Sequence, residues 1–175
     1  MYQTVYVNLA WSRKYDDNNY LDARTLEAGI FMKLPKYVSD EEVKEVCKRL
    51  GIRDWSRPKE PEVTLREAKV ILKALRIRGM KIDPEQFREG LEVELEHGTT
   101  LRDVNVTNNH PLLTGKIVIA YMKETLDYYK RLDVAELEGD LLKAFRRKDF
   151  KKATSVYKRL ISARISLSQS ESAEL

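Results

Sequence analysis

Hydrophobic residues recur at helical spacing along most of the chain after residue 38. Two apolar runs are each preceded by a capping box, in which a hydroxyl and a carboxylate satisfy free amides at a helix start. The boxes pair Ser39 with Glu42 and Thr64 with Glu67. The runs that follow contain Val43, Val46, Cys47 and Leu50, and then Leu65, Ala68, Ile71, Leu72 and Leu75. Spacings of three and four residues line one side of a helix, so the pattern predicts two amphipathic helices.

The middle of the chain predicts two further helices. The first begins at Pro84, behind a cap at Asp83, and ends near Gly98. It carries a stripe of acids, which are Glu85, Glu89, Glu92 and Glu96. The second helix covers residues 112–132 and is apolar on two sides, a pattern typical of a helix surrounded by others. Glu124 falls on a side of this helix that we expect to be inside.

The two ends of the chain carry different patterns. Residues 2–11 are β-branched and aromatic with rough alternation, which predicts a strand in a short hairpin or an extended arm. Towards the other end, two amphipathic helices flank the basic sequence RRKD, and so short a connection favours an antiparallel helical hairpin. Their apolar residues are Val134, Leu137, Leu141, Ala144 and Phe145, and then Phe150, Ala153, Tyr157, Leu160 and Ile161. Residues 165–175 are small and polar, which predicts a flexible tail.

These elements together predict a mainly α fold. We expect an orthogonal or up-down bundle of five to six helices, with the doubly apolar helix near its centre. The predicted organisation is an N-terminal β-hairpin or arm over residues 1–36, one helical domain over residues 37–164, and the tail. A chain of 175 residues has room for one such domain, because typical domains run to about 100–150 residues.

Composition mainly excludes classes of protein. Cys47 is the one cysteine, so no disulfide within the chain is possible, and its helical position predicts a small core residue. We find no secretory segment and no apolar run of membrane-spanning length, so we expect no membrane partner and a cytoplasmic or virion location. Glycine-rich phosphate loops and nucleophile elbows are absent as well, which argues against ATPases, dehydrogenases and serine hydrolases. The abundant Glu, Lys and Arg would suit a thermophilic source.

Charge is segregated along the chain, although the total of 32 Lys and Arg against 28 Asp and Glu is nearly balanced. Acids dominate residues 84–103, whereas bases dominate residues 143–164. A basic stripe of this kind can neutralise phosphates, but it can equally be a solvated surface or dock on the acidic stripe of another subunit. The candidate binding residues are Lys143, Arg146, Arg147, Lys148, Lys151, Lys152, Lys158 and Arg159.

Three runs in the middle of the chain, EGLEVELEHG, NVTNNHP and TGKIVIAYMKETLDYYKRL, resemble a family of small helical proteins known as a domain of unknown function, found in bacteria, archaea and phages. The resemblance covers about residues 87–132. It places at characteristic family positions Glu94, Glu96, His97, Asn105, Thr107, Pro111, Lys116, Asp127, Tyr128 and Tyr129. This chain has His110 where the family commonly has an acid, and Tyr121 where it has a histidine. The resemblance implies a helical fold and a viral or mobile-element context, and no established activity.

Both histidines, His97 and His110, lie in this middle unit near Glu94 and Glu96. Imidazole and carboxylate groups are ligands for a divalent transition metal, although the spacing matches no established metal motif. One hypothesis is therefore a metal-dependent hydrolase with these four ligands and Glu124 as general base. The structural interpretation is that Glu94 and His97 bond the loop and cap the fourth helix. We prefer it because structural networks often resemble sites.

The aromatic and acidic residues at the end of this unit also have structural interpretations. Tyr128 and Tyr129 are expected in the core or in an interface. Asp127 is expected on the helix surface, where Lys123 and Arg131 lie four residues to either side.

The preferred function is therefore non-catalytic. We expect a structural or binding protein, encoded by a virus or a mobile element, that forms a homo-oligomer through its N-terminal arm. Nucleic acid or an acidic protein surface would bind its basic C-terminal hairpin. We expect no cofactor for this function, and a divalent metal for the hydrolase alternative.

Overall fold

A computed structural model describes residues 38–102 and 105–174 of the chain. The predicted N-terminal hairpin or arm lies outside these residues, and so does the predicted self-association through it. Within the described ranges, no helix combines the length and the apolar character needed to cross a membrane.

Six α-helices hold most of the described residues. They are α1 (Asp40–Leu50), α2 (Leu65–Leu75), α3 (Pro84–Thr100), α4 (Pro111–Glu124), α5 (Tyr128–Arg146) and α6 (Phe150–Glu174). The prediction of a mainly α fold with five to six helices is confirmed for this part of the chain.

Local signals set the starts of the first three helices. The hydroxyl of Ser39 accepts from the amide of Glu42 at 3.2 Å. Thr64 and Glu67 complete a capping box in both directions before α2. Asp83 accepts from an amide of the first turn of α3 at 3.3 Å. Because each cap satisfies amides that have no helical partner, these boundaries are encoded by a few neighbouring residues.

Helix α4 is the central helix of the described fold. It contacts α1, α2, α3 and α5, and its fully buried residues, including Gly115, Val118 and Met122, share one side. On the second side that the apolar pattern predicts, Leu113, Ile117 and Tyr121 are only partly buried. Gly115 permits its close crossing with α2, because a Cβ there would lie 2.9 Å from Leu75 and 3.0 Å from Ile71. Because four helices pack on α4, its position determines how those helices are arranged around it.

The main hydrophobic core lies around α4. Its largest fully buried side chains are Trp55, Phe87, Ile71, Leu91 and Leu95. Trp55 comes from the proline-containing connection between α1 and α2, which reads as an ordinary loop in the sequence. Cys47 is buried as predicted, and this burial raises the pKa of its thiol.

The prediction of one helix over residues 112–132 is wrong at its C-terminal end. Helix α4 stops at Glu124, and a three-residue break precedes α5. In the break, the hydroxyl of Thr125 donates to the carboxylate of Asp127. Asp127 pairs with Arg131 at 2.7 Å as predicted, but it is buried and does not lie on the helix surface. Such local side-chain bonds compete with helical geometry, so they divide the apolar run.

Helices α5 and α6 form the predicted antiparallel hairpin. Its small core consists of Leu137, Val156 and Leu160, separate from the main core. Helix α6 packs chiefly against α5.

The prediction of a tail from residue 165 needs correction, because α6 continues as a helix to Glu174. Two contacts tie this end of α6 to the start of α5. Lys130 donates to Ser170, and Arg131 donates to Glu171 at 2.8 Å. Small polar residues predict fraying in isolation, whereas partners on a neighbouring helix hold them here.

Candidate functional site

Three tyrosines gather where α4 ends and α5 begins. Tyr121 stacks on Tyr128 with ring centroids 4.4 Å apart. Tyr129 meets Tyr121 edge-on at 6.3 Å and Tyr128 at 5.3 Å. On one continuous helix, residues seven apart would be separated by about 10 Å along the axis. The break between the two helices therefore creates this tyrosine cluster.

Glu94 of α3 links the tyrosine cluster to His97. The hydroxyl of Tyr129 donates to Glu94 Oε1 at 2.9 Å, and Glu94 Oε2 lies 3.7 Å from His97 Nδ1. Burial and then the negative charge of Glu94 raise the pKa of Tyr129, so its hydroxyl stays protonated and keeps donating. The His97 side chain is 54% exposed, so the chain of contacts runs from the core to the surface.

Removal of the Tyr129 hydroxyl should show how much its hydrogen bond to Glu94 contributes to the stability of the protein. Tyr129→Phe is expected to lower the free energy of unfolding by about 1.5–3 kcal/mol, because a buried bond to a charged group is lost. Urea denaturation of both proteins would give the difference. Tyr157→Phe is the matched control, since Tyr157 is half exposed on α6. Equal effects of the two substitutions would contradict the prediction.

His110 caps α4, in place of the predicted Glu94 and His97. Its Nδ1 accepts from the amides of Leu112 and Leu113 at 3.2 and 3.3 Å. Burial is the main cause that lowers the pKa of His110, which favours the neutral ring with an accepting Nδ1. That lone pair is engaged by the helix start and is not offered to a metal.

The other residues of the predicted metal set also lie apart. Glu94 and His97 line a groove of about 300 Å³, whereas Glu96 lines a different groove on another side of α3. Glu124 is exposed at the end of α4, and the expectation that it lies inside is wrong. In the described ranges, no three His, Cys, Asp or Glu side chains are placed to hold one metal ion. The four predicted ligands therefore do not converge.

The NVTNNHP sequence forms a bonded loop before α4. Asn105 donates to the carbonyl of Gly98 at 3.2 Å and to Asn109 Oδ1 at 2.9 Å. Thr107 Oγ1 donates to Asn105 and accepts from the amide of Asn109. Asn108 and Asn109 adopt left-handed backbone angles, with φ of 47° and 61°, which asparagine tolerates better than most residues. These polar residues hold the loop in shape.

An acidic groove of about 480 Å³ lies between α3, α5 and α6. Its charged lining consists of Glu62, Glu89, Glu92, Glu96, Asp133, Glu136 and Lys130. Glu92 is fixed by the amide of Val63 at 3.0 Å and by Arg88 at 2.6 Å. Burial is the main cause that raises the pKa of Glu89. Most of the acidic stripe predicted on α3 therefore faces this groove.

The tip of the α5–α6 hairpin is basic. All eight predicted binding residues are exposed there: Lys143, Arg146, Arg147, Lys148, Lys151, Lys152, Lys158 and Arg159. Lys143 donates to Asp140 at 3.0 Å, and this bond holds the pKa of Asp140 below its usual value. Asp149 is the only acid among residues 143–159, and it accepts from the amide of Lys152 at 2.9 Å at the start of α6. We call these eight side chains the basic tip.

The same hairpin exposes large apolar side chains that the spacing had assigned to the inside. Phe145, Phe150, Tyr157 and Ile161 are all exposed. An apolar period shows which residues share a side of a helix, but the packing of neighbours decides whether that side is covered. Sequence reasoning therefore missed this surface.

The family described as “Protein of unknown function (DUF5661)” matches residues 43–138. The match runs from α1 into α5, so it includes the central helix, the tyrosine cluster and the bonded loop. It extends beyond the segment of about residues 87–132 that carries the motif resemblance, and it stops before the basic tip. No curated protein and no solved structure matches the chain.

Proposed function

Because the chain belongs to this family, whose description names no activity, we propose a function from its surface: it is a non-catalytic binding protein. Its α5–α6 hairpin binds a polyanion, and nucleic acid is the partner that we favour. The proposal includes the viral or mobile-element context and the cytoplasmic or virion location, which follow from the motif resemblance and the composition.

The observation that carries the proposal is the concentration of uncompensated charge at the basic tip. Among the described residues, Lys143 is the only one of the eight that forms an ion pair. Asp149 is engaged as a helix cap. Exposed lysines and arginines that neutralise phosphates release counterions, and this release gives most of the affinity in binding that does not depend on sequence.

The arrangement of the bases on α6 suits contact with several phosphates. Lys152 and Arg159 lie seven residues apart and form one row, and both act with Lys143 on the pKa of Asp140. Lys151 and Lys158 form a second row with the same spacing. Seven residues span about 10 Å of helix, so each row holds two separate charges on one side.

Charge removal at the basic tip tests the proposal. A variant with glutamine at Lys151, Lys152, Lys158 and Arg159 is expected to bind a labelled 30-base-pair DNA duplex about 10- to 100-fold more weakly at 0.1 M salt. The slope of log K against log salt should fall in magnitude by about 2–4. Fluorescence anisotropy over a series of salt concentrations would measure both quantities.

The matched control removes the same number of charges elsewhere. Lys44, Lys48, Lys69 and Lys73 are exposed on α1 and α2, and their replacement by glutamine should leave the affinity and the slope within about twofold of wild type. Affinity that does not depend on salt, or equal losses in both variants, would contradict a role of the basic tip. Binding of an acidic peptide without binding of DNA would replace nucleic acid by an acidic protein as partner.

A further inference from the structure

Six large apolar side chains lie exposed on the α5–α6 hairpin, each between 39% and 65% accessible. They are Leu142, Phe145, Phe150, Tyr157, Ile161 and Ile165. On α6, the spacing of seven, four and four residues places Phe150, Tyr157, Ile161 and Ile165 in one stripe. This stripe lies beside the residues that α6 buries against α5, so it forms a second apolar side of the helix.

The apolar residues of both helices share one face of the hairpin. Phe145 of α5 meets Phe150 of α6 edge-on, with ring centroids 6.5 Å apart. Leu142 lies one turn before Phe145 on the same side of α5. We call these six residues the apolar face.

The area of the apolar face is at the upper end of what the surface of a monomer presents. Six half-exposed side chains of this size present on the order of 600 Å². The largest apolar patch of a typical monomer measures about 300–600 Å² and is often functional. A stable interface buries about 800 Å² on each partner, so the apolar face with its polar rim is large enough for one.

We propose that a second copy of this chain covers the apolar face. Two hairpins, packed face to face, supply the four helices of a bundle, and a two-fold axis near Tyr157 makes the same surface serve both copies. The inference rests on apolar side chains and does not depend on the proposed polyanion binding.

Charge favours an antiparallel arrangement of the two hairpins. The tip of the hairpin carries Lys148 and Lys151, whereas Glu138, which lies one turn before Leu142 and further from the tip, is paired with Arg164 of α6 at 2.6 Å. In an antiparallel pair, the basic tip of one copy lies beside this part of the other hairpin, where the charges of Glu138 and Arg164 balance. A parallel pair would bring two basic tips together, and like charges repel.

Dimer formation leaves part of the basic tip open. Lys152 and Arg159 each follow a residue of the apolar stripe by two positions, and two positions turn a helix by about 200°. Their side of α6 therefore points away from the proposed interface. The dimer would present two such basic surfaces.

Sedimentation equilibrium of the full chain tests the inference. We expect a dimer for the wild type, and a dissociation constant about 30-fold or more higher for Tyr157→Glu, because a charge replaces a central aromatic anchor. Ser155→Glu is the matched control: it adds the same charge to the opposite side of the same helix and should leave the dissociation constant unchanged. Thermal melts by circular dichroism would show that both variants keep their helices.

Disulfide crosslinking would test the antiparallel order. Cys47 is buried, so cysteines introduced as Phe150→Cys and Ile165→Cys are the reactive ones. Under oxidation, the mixture of the two variants should give mainly crosslinks between unlike chains. A monomer at every concentration would overturn the inference, whether residues 1–37 or another protein then covers the apolar face. A dimer that tolerates Tyr157→Glu, or crosslinks mainly between like chains, would overturn it as well.

Discussion

Glu67→Ala is expected to lower the free energy of unfolding by about 3 kcal/mol. Glu67 is buried, and its carboxylate joins α2 to the connection that precedes it. It accepts from Arg53 at 3.1 Å, from the indole of Trp55 at 3.2 Å, and from the amide and hydroxyl of Thr64 at 2.9 Å each. Alanine would leave the fully buried indole N–H without a partner, which costs about 1–3 kcal/mol, and would remove half of the capping box.

Chemical denaturation of Glu67→Ala would measure this loss, with Glu60→Ala as the matched control. Glu60 is exposed in the same connection, and its loss should change stability by less than about 0.5 kcal/mol. A loss below about 1 kcal/mol in Glu67→Ala would show that water replaces the carboxylate around Trp55.

The pH dependence of stability distinguishes what the charge of Glu67 contributes from what the size and packing of its side chain contribute. Burial alone would raise the pKa of Glu67, but bonds from Thr64 and Trp55 and the charge of Arg53 lower it below the usual value. A carboxylate with a lowered pKa in the folded state contributes stability above its unfolded pKa of about 4.3, and this contribution is lost as the pH falls. Below that pH, the stability of the wild type should therefore fall more steeply than that of Glu67→Gln.

Gly98→Ala is expected to destabilise the protein by about 3 kcal/mol, although it adds one methyl group. A Cβ at Gly98 would lie 1.8 Å from Asn109 Oδ1 and 2.9 Å from Asn105 Nδ2. Asn109 is buried and bonded to Asn105, so it cannot move aside without breaking that bond. The substitution should therefore open the loop that precedes α4.

Gly139→Ala is the matched control for this prediction. Gly139 also lies within a helix, but a Cβ there meets nothing within 4 Å. Alanine should stabilise this position by about 0.4–1 kcal/mol, since it restricts the unfolded chain. Thermal melts would compare the two, and hydrogen exchange at the amide of His110, which donates to Thr107, would report on the loop. Similar stabilities of the two variants would mean that the loop adapts to the added methyl group.

Particular residues show how far the sequence predicts this fold. The caps at Ser39, Thr64 and Asp83 and the two apolar sides of α4 are local patterns, and the helices that they predict are present. Trp55 shows the limit: nothing in its proline-containing neighbourhood indicates a fully buried side chain, and the partner of its indole is Glu67 of α2, twelve residues further along the chain.

In the candidate site too, some features depend on neighbouring residues and others on residues distant in the chain. The exposure of each residue of the basic tip is predicted from the sequence, because charged side chains on a short helical hairpin are almost always exposed to solvent. The metal ligand set is different, because its formation depends on whether four side chains converge. Glu94 binds Tyr129, His110 binds the start of α4, and Glu96 faces another groove. Spacing along the chain could not distinguish these partners from a shared ion.

The sequence by itself determined where the helices start, which sides of them are apolar, and where charge collects, since these depend on residues within one or two turns. The tertiary structure alone decided that Asp127 is buried at a break, that the tyrosines stack across it, and that an apolar face of the hairpin is uncovered. The physical reason is that burial, and hydrogen bonds between distant residues, depend on which helices pack together. Local periodicity leaves that packing open.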